Sequence, residues 1–147
     1  MTGQVYNIED RGIMKQELIS RLIQAAFSAR EHAYAPYSSD FKVGASVLTD
    51  DDWIVSGCNV ENASFGATMC AERVAVFKAI SEGHRTIKAV AVVADSENPV
   101  PPCGICLQVI SEFGADADII MANTKGQIEL SSVGELLPRH FKLRSTE

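Results

Sequence analysis

The stretch CAERVAVFKAISEGHRTIKAVAVVADSENPVPPCGICLQVISEFGADADIIMAN, residues 70–123, decides the fold. Residues 70–83 and 103–114 each have the composition of a helix followed by a glycine, Gly83 and Gly114. Between and after them, IKAVAVVA (87–94) and ADIIMAN (117–123) are typical of strands buried on both faces. A strand, a helix and a second strand in this order predict parallel strands joined by a right-handed crossover.

Upstream of this unit, residues 41–60 predict an antiparallel hairpin. FKVGASVL (41–48) alternates apolar residues on one side, TDDD (49–52) supplies turn residues, and WIVSGCNV (53–60) is extended again. Joined to the parallel strands, this hairpin makes the sheet mixed. Residues 15–33 carry apolar side chains at helical intervals, which predicts an amphipathic helix covering the sheet. Near the end, VGELLPRHF (133–141) indicates a short helix that stops near Pro138, with Phe141 beyond it.

The length and charge of the chain restrict its partners. With 147 residues and no low-complexity tract, residues 1–147 suit one globular domain. The net charge is -6 and the basic residues are scattered, so we expect a small-molecule partner and no nucleic acid. The opening MTGQVYNIEDRGIMKQ lacks the order of a secretory signal, and no apolar stretch is long enough for a bilayer. We therefore expect no membrane partner and a cytoplasmic location.

Two short motifs point to metal chemistry: Cys70-Ala71-Glu72, and Cys103 with Cys106 in the sequence PCGIC. Each motif lies where a loop becomes a helix, and the N-terminus of a helix stabilises the thiolate form that binds zinc. Three protein ligands leave a tetrahedral zinc ion one open position for water, as in catalytic sites. Glu72 follows a ligand by two residues, which suits it to carry protons to and from that water.

The charge of three thiolates exceeds that of the zinc ion and weakens it as a Lewis acid. Arg73 and the two helix N-termini are the positive groups that could offset this charge. Alternatively, the Cys-x-x-Cys pair could belong to a structural zinc site or a redox dithiol. Cys58 is interpreted as a small buried residue rather than a fourth ligand that would close the site. The three histidines are interpreted as surface residues: His32, His84 and His140.

A Cys-x-Glu sequence followed by Pro-Cys-x-x-Cys is a signature of zinc deaminases, including those with three cysteine ligands. Other stretches accompany it in this order: AYAPYS with FKVGA, GCNVENAS, CAER, PCGIC followed by QV, and ELLP with a downstream phenylalanine. With these motifs, the chain from about Leu18 to Phe141 resembles the small, homotetrameric cytidine deaminases with three cysteine ligands. The resemblance implies a three-layer α/β/α sandwich around a mixed five-stranded sheet, and one zinc ion per subunit.

The resemblance also assigns substrate contacts. It implies that Asn59 and Glu61 hold the ribose hydroxyls, that Phe41 lies against the pyrimidine ring, and that the backbone of Ala71 contacts the base. Hydrogen-bonding groups of this kind suit a sugar diol, and an aromatic face suits a planar base. Neighbouring subunits of the homotetramer would contribute three further residues: Ala63, Phe65 and Phe141. Without the zinc motif, Asn59 and Glu61 would be interpreted as a polar loop and Phe41 as a core aromatic.

Three features depart from the family pattern. Phe65 stands where several members have tyrosine, so a phenolic hydrogen bond is absent. Leu107 stands where members commonly have arginine, which removes a cation from the neighbourhood of the thiolates. Between Tyr37 and Phe41 the chain has one residue more than the usual spacing, which the loop at residues 38–40 must absorb.

The reaction implied is zinc-dependent hydrolysis of cytidine and 2'-deoxycytidine to uridine and 2'-deoxyuridine, with release of ammonia, in pyrimidine salvage. One alternative is a deaminase of the same chemistry acting on an aminonucleoside antibiotic or on cytosine in nucleic acid. Another is an inactive, zinc-stabilised structural or interaction module. The sequence Asn59-Val60-Glu61-Asn62 favours a nucleoside, and the intact Glu72 argues against an inactive module.

Overall fold

The computed structural model of the chain describes residues 16–143. The predicted start of the first helix at residue 15 and most of the opening segment lie outside these residues. The helices are α1 (Gln16–Arg30), α2 (Ala71–Ser81), α3 (Gly104–Phe113) and α4 (Val133–Leu136), with a 3-10 turn at Phe65–Ala67. The strands are β1 (Val43–Thr49), β2 (Ile54–Cys58), β3 (Ile87–Ala94), β4 (Asp118–Asn123) and β5 (Ile128–Ser132).

The five strands form one sheet in the order β2-β1-β3-β4-β5. β3 and β4 are parallel, with Val92 opposite Met121, and α3 provides the crossover between them. All the other neighbouring pairs are antiparallel. The prediction of a mixed sheet with an antiparallel hairpin and a parallel crossover is therefore confirmed.

Helices cover both faces of the sheet, so the three-layer α/β/α sandwich is confirmed. On one face, Leu22 and Ala26 of α1 pack against Leu48 and Ile120 of the sheet. On the other face, α2, α3 and α4 contribute Val76, Ile110 and Val133 to a second cluster with residues of β1, β3 and β4. β3 is buried along almost its whole length because both layers pack on it.

The elements differ from the sequence predictions in three respects, and the first is that α1 ends at Arg30 and not at residue 33. β1 begins at Val43, so Phe41 lies before the strand and is 41% exposed instead of forming part of the core. β5 was not recognised from its residues, since Ile128–Ser132 is a short edge strand with only one fully buried side chain. The predicted ends of α2 and α4 are confirmed: α2 ends before Gly83, whose φ of 104° suits glycine, and α4 ends before Pro138.

Among residues 16–143, no helix has both the length and the apolar character that crossing a lipid bilayer requires.

Candidate active site

The cysteines of the two motifs lie at helix starts. Cys70 is the N-cap of α2 and Cys103 is the N-cap of α3, while Cys106 lies in the first turn of α3. Neither N-cap side chain makes a capping hydrogen bond; the backbone carbonyl groups accept from Val74 and Leu107 instead. The sulfur atoms are therefore not used to cap the helices and can bind a metal ion.

The Sγ atoms of Cys70, Cys103 and Cys106 all lie within 4.8 Å of one another. Cys103 and Cys106 are 3.5 Å apart, sulfur to sulfur. Zn–S bonds of about 2.3 Å in a tetrahedron separate two sulfur atoms by roughly 3.8 Å, so the cluster fits one zinc ion after small side-chain movements. Within residues 16–143, this is the one group of three or more His, Cys, Asp or Glu side chains with metal-binding geometry.

Cys58 does not join this cluster. It is a free thiol at the end of β2 and is partly buried, which agrees in part with the interpretation of a small buried residue. Among the described residues, three protein ligands are therefore available, and the fourth position of a tetrahedral zinc ion is open to water. This is the donor set of a catalytic zinc site.

The thiols of Cys70 and Cys106 have pKa values shifted in opposite directions. The pKa of Cys70 falls from 9.0 to about 5, mainly because of hydrogen bonding with Cys106 and also because of Arg73. The pKa of Cys106 is raised because its thiol is the donor in that pair and because it is buried. Nη2 of Arg73 donates a hydrogen bond to the Cys70 sulfur at 3.3 Å. Burial disfavours the charged form of Arg73, but the two sulfur atoms outweigh this and raise its pKa.

Glu72 lies in the first turn of α2 and is only 5% exposed. Burial raises the pKa of its carboxyl group from 4.5 to about 7, and the nearby negative charge of Cys70 acts in the same direction. A carboxyl group with this pKa can both accept and donate a proton near neutral pH.

The loop between β2 and α2 is held so that Cys70 lies beside the sheet. Val60 and Met69 exchange two backbone hydrogen bonds of 2.9 Å, which fixes the residue immediately before Cys70. α2 packs closely on β2 because residue 57 is a glycine. A Cβ atom at Gly57 would lie 2.7 Å from the backbone nitrogen of Ala75.

Asn59 is buried and its amide group links two backbone atoms at the start of β1. Nδ2 donates to the carbonyl oxygen of Phe41 at 2.9 Å, and Oδ1 accepts from the N–H of Val43 at 2.8 Å. One N–H and one lone pair of the amide remain. Asn59 therefore has a structural role that the sequence did not predict, and it retains one donor and one acceptor.

Glu61 holds the loop before Phe41. Its Oε1 accepts hydrogen bonds from the N–H groups of Tyr37 at 2.7 Å and Ser38 at 3.1 Å. Hydrogen bonding from Ser38 and Tyr37 keeps the pKa of Glu61 below its usual value, so the carboxylate is ionised at neutral pH. Ser39 and Asp40 have φ values of 57° and 64°, so this loop contains two consecutive left-handed residues.

The other predicted substrate contacts fall into two groups. Ala71 is buried at the start of α2, where the first N–H groups of a helix lack intrahelical partners. Ala63, Phe65 and Phe141 are exposed, with Phe65 packed edge-on against Tyr37 at a ring distance of 6.1 Å.

Two residues with clear roles were missed in the sequence. The Nδ2 atom of Asn123 donates to the carbonyl oxygens of Ser96 and Glu97, both at 3.1 Å, and so holds the loop that leads to Cys103. A polar residue at the end of a buried strand was the available signal. Gln108 hydrogen-bonds the backbone of Phe141 twice.

The interpretation of the histidines needs one correction. His32 is exposed and His140 is partly exposed, but the side chain of His84 is only 13% exposed and its Nδ1 lies 3.0 Å from Oδ1 of Asp51. The ring of Trp53 lies beside it. His84 therefore packs between the β1–β2 turn and the end of α2, and none of the three belongs to the metal cluster.

Three thiolate ligands, an open position and an adjacent buried carboxyl group define a hydrolytic zinc centre. Comparison with known proteins identifies its family. Residues 16–122 match the family model described as the cytidine and deoxycytidylate deaminase zinc-binding region. Because the match covers more than half of the chain, the chain belongs to this deaminase family.

Individual relatives agree with the family match. The chain is 53% identical over 121 residues to a cytidine deaminase from Halalkalibacterium halodurans. The matched region covers 82% of this chain and 91% of the relative. It is 51% identical over 124 residues to a cytidine deaminase from Sporosarcina psychrophila, covering 84% and 90%. The crystal structure of a cytidine deaminase from Burkholderia pseudomallei superposes with a TM-score of 0.80 at 46% identity, covering 87% of this chain and all of the other.

Proposed function

We propose that this chain catalyses the hydrolytic deamination of cytidine and 2'-deoxycytidine to uridine and 2'-deoxyuridine, with release of ammonia. One observation carries the proposal: three cysteine sulfur atoms lie within 4.8 Å of one another, and a buried glutamate follows one of these cysteines by two residues. Relatives that are 53% and 51% identical over most of the chain are cytidine deaminases. Such a reaction belongs to pyrimidine salvage.

Cys70, Cys103 and Cys106 hold one zinc ion per subunit in this proposal. When bound, the ion lowers the pKa of a water molecule at its open position, which makes hydroxide available near neutral pH. Arg73 balances the charge of the ligands by donating to the Cys70 sulfur at 3.3 Å.

Glu72 is the proton carrier of the reaction. It takes a proton from the attacking water and delivers it to the ring nitrogen next to the attacked carbon. It then takes the second proton of that water to the departing amino group. A C–O bond forms, the exocyclic C–N bond breaks, and the products are the uracil nucleoside and ammonia. The pKa of about 7 suits both directions of transfer.

Four residues bind the nucleoside in this proposal: Phe41, Asn59, Glu61 and Ala71. Oε1 of Glu61 accepts from the loop backbone, and the carboxylate would accept a further hydrogen bond from a ribose hydroxyl. The remaining N–H of the Asn59 amide is a matching donor. Phe41 is sufficiently exposed to cover one face of the pyrimidine, and the free N–H groups at the start of α2 suit the base.

The charge of the binding groups favours a nucleoside over a nucleotide. The low pKa of Glu61 keeps a negative charge beside the sugar, which repels a 5'-phosphate. The net charge of -6 disfavours a polynucleotide for the same reason. The chain therefore acts on free nucleosides and not on cytosine in nucleic acid.

Assembly completes the proposal: residues 1–147 form one domain, and four copies form a homotetramer with shared active sites. Ala63, Phe65 and Phe141 then contribute to the site of a neighbouring subunit. Their exposure supports this, since the residues Phe65 and Phe141 are 77% and 67% exposed. Because the four cysteines are free thiols, a reducing compartment such as the cytoplasm suits the protein.

The test is to add purified zinc-loaded protein to cytidine, deoxycytidine, cytidine 5'-monophosphate and a cytosine-containing oligonucleotide, and to follow loss of cytosine absorbance. We expect conversion of the two nucleosides only. Glu72→Gln should retain zinc and lose activity by about 10²-fold or more. Glu82→Gln, at the exposed end of the same helix, is the matched control. Zinc binding without conversion of either nucleoside would support the structural-module alternative instead.

A further inference from the structure

The segment that follows α4, residues 137–143, is attached to α3 by one side chain. Nε2 of Gln108 donates to the carbonyl oxygen of Phe141 at 2.8 Å, and the N–H of Phe141 donates to Oε1 of the same amide at 3.1 Å. The side-chain amide thus pairs with the backbone as a neighbouring strand would. Among the described residues, residues 138–143 make no other hydrogen bond to the rest of the chain.

Packing contributes little to the attachment of this segment. A groove of about 470 Å³ lies between the C-terminal half of α3 and residues 140–143. Phe141 is 67% exposed and Leu143 is more exposed still. The segment therefore crosses α3 without filling the space beneath it, and the two hydrogen bonds from Gln108 determine where the backbone of Phe141 lies.

We propose that Gln108 is a positioning residue for substrate binding: it fixes the Phe141 ring relative to the helix that carries two of the zinc ligands. Gln108 lies two residues after Cys106 in α3, so the amide connects the backbone that carries the ring to the helix that carries the metal ligands. This inference rests on the proposed function, in which Phe141 contacts the nucleoside in a neighbouring subunit.

The chemistry of the amide explains why glutamine is required. A primary amide offers one acceptor and two donors at the end of a flexible side chain, and it satisfies the N–H and the carbonyl group of one residue together. Glutamate would keep the acceptor but lose the donor to the carbonyl oxygen. Methionine would keep the length and lose both hydrogen bonds.

The experiment compares Gln108→Met, Gln108→Glu, Phe141→Ala and the double variant Gln108→Met with Phe141→Ala, all as full-length zinc-loaded protein. Loss of an aromatic contact to a base corresponds to about a tenfold rise in the KM for cytidine, which is the result expected for Phe141→Ala. Gln108→Met should raise KM several-fold, with kcat and zinc content unchanged. The double variant should match Phe141→Ala alone, because the amide acts through the ring. Gln24→Met on α1 is the matched control, since this glutamine is exposed and hydrogen-bonds Ser28 on the same helix.

A second measurement is independent of activity. In Gln108→Met, hydrogen exchange at the Phe141 amide should accelerate at least tenfold, while α3 stays protected. Gln108→Glu keeps the oxygen that accepts from this N–H, so its exchange should accelerate less. If Phe141→Ala leaves KM unchanged, the contact assigned to Phe141 in the proposed function is wrong. Two results would overturn the positioning role while the proposed function stands. In one, Phe141→Ala raises the KM for cytidine but Gln108→Met does not. In the other, the rise in KM of the double variant equals the product of the rises in the two single variants.

Discussion

Nη2 of Arg73 lies 3.3 Å from Sγ of Cys70 and donates a hydrogen bond to it, while Nε of the same guanidinium is buried without a partner. Arg73 follows the cysteine by three residues on α2, so one helix carries a zinc ligand, its cationic partner and the buried Glu72. Leu107, directly after the ligand Cys106, is buried in α3 and supplies no charge. The charge balance of the thiolates therefore depends on Arg73 and on the N-termini of α2 and α3.

Replacing Arg73 should weaken the zinc centre more than a surface arginine would. Replacing a residue that hydrogen-bonds a metal ligand typically lowers metal affinity or activity by about 10- to 100-fold. We therefore expect Arg73→Gln to lower kcat by a factor in this range. Arg73→Lys, which keeps the charge, should lose less. The control is Arg85→Gln, whose guanidinium binds only the exposed carbonyl groups of Ile80 and His84. Steady-state kinetics and zinc titration with a chelator measure both effects; equal values for Arg73→Gln and Arg85→Gln would contradict the argument.

Glu61 should affect substrate affinity in two separable ways. Glu61→Gln keeps the oxygen that accepts from Tyr37 and Ser38, so the loop should remain while the charged hydrogen bond to the sugar is lost. Loss of such a bond should raise the KM for cytidine by about 10- to 100-fold. Glu61→Ala also releases the loop, and its Tyr37 and Ser38 amides should exchange faster. Zinc content should not change in either variant. A normal KM in Glu61→Gln would remove Glu61 from the binding residues.

The parts of the fold and site that the sequence predicts are those with a local signal. β3 and β4 are recognisable because burial on both faces requires continuous apolar residues, and the zinc cluster is recognisable because its cysteines flank helix starts. β5 has no such signal, since five residues on a sheet edge with two serines do not alternate clearly. Gln108 and Asn123 act on backbone atoms 33 and 26 to 27 residues away, and only the folded chain brings these groups together.

Asn123 should stabilise the loop before Cys103. Its amide donates to Ser96 and Glu97, and its Oδ1 accepts from the N–H groups of Lys125 and Gln127. Removing these buried hydrogen bonds in Asn123→Ala should lower the free energy of unfolding by about 2–3 kcal/mol. Zinc should also dissociate faster into a chelator. Urea denaturation of the zinc-loaded protein measures the first effect. Asn98→Ala, in the exposed part of the same loop, is the control and should be neutral.

Gly57 should be intolerant of a side chain. A Cβ atom there would lie 2.7 Å from the Ala75 nitrogen and 2.9 Å from a methyl group of Val74, so α2 would have to shift away from β2. We expect Gly57→Ala to lower the free energy of unfolding by about 1–3 kcal/mol. Since α2 carries Cys70 and Glu72, kcat should fall as well. Gly66→Ala is the matched control because no atom lies within 4 Å of its Cβ position. Similar thermal stability of the two variants would show that α2 is not held closely against β2.

If active sites are shared between subunits, two variants with different defects should restore activity when they assemble together. Glu72→Gln retains the exposed Phe141 ring, and Phe141→Ala retains the buried carboxyl group of Glu72. In a homotetramer assembled at random from equal amounts of both chains, about a quarter of the sites combine an intact Glu72 with an intact Phe141 from a neighbour. Refolding the two variants together should therefore give more activity, at cytidine concentrations below KM, than the sum of the variants refolded separately. Activity equal to that sum would mean that Phe141 does not complete the site of another subunit, and the site would then have to be formed within one chain.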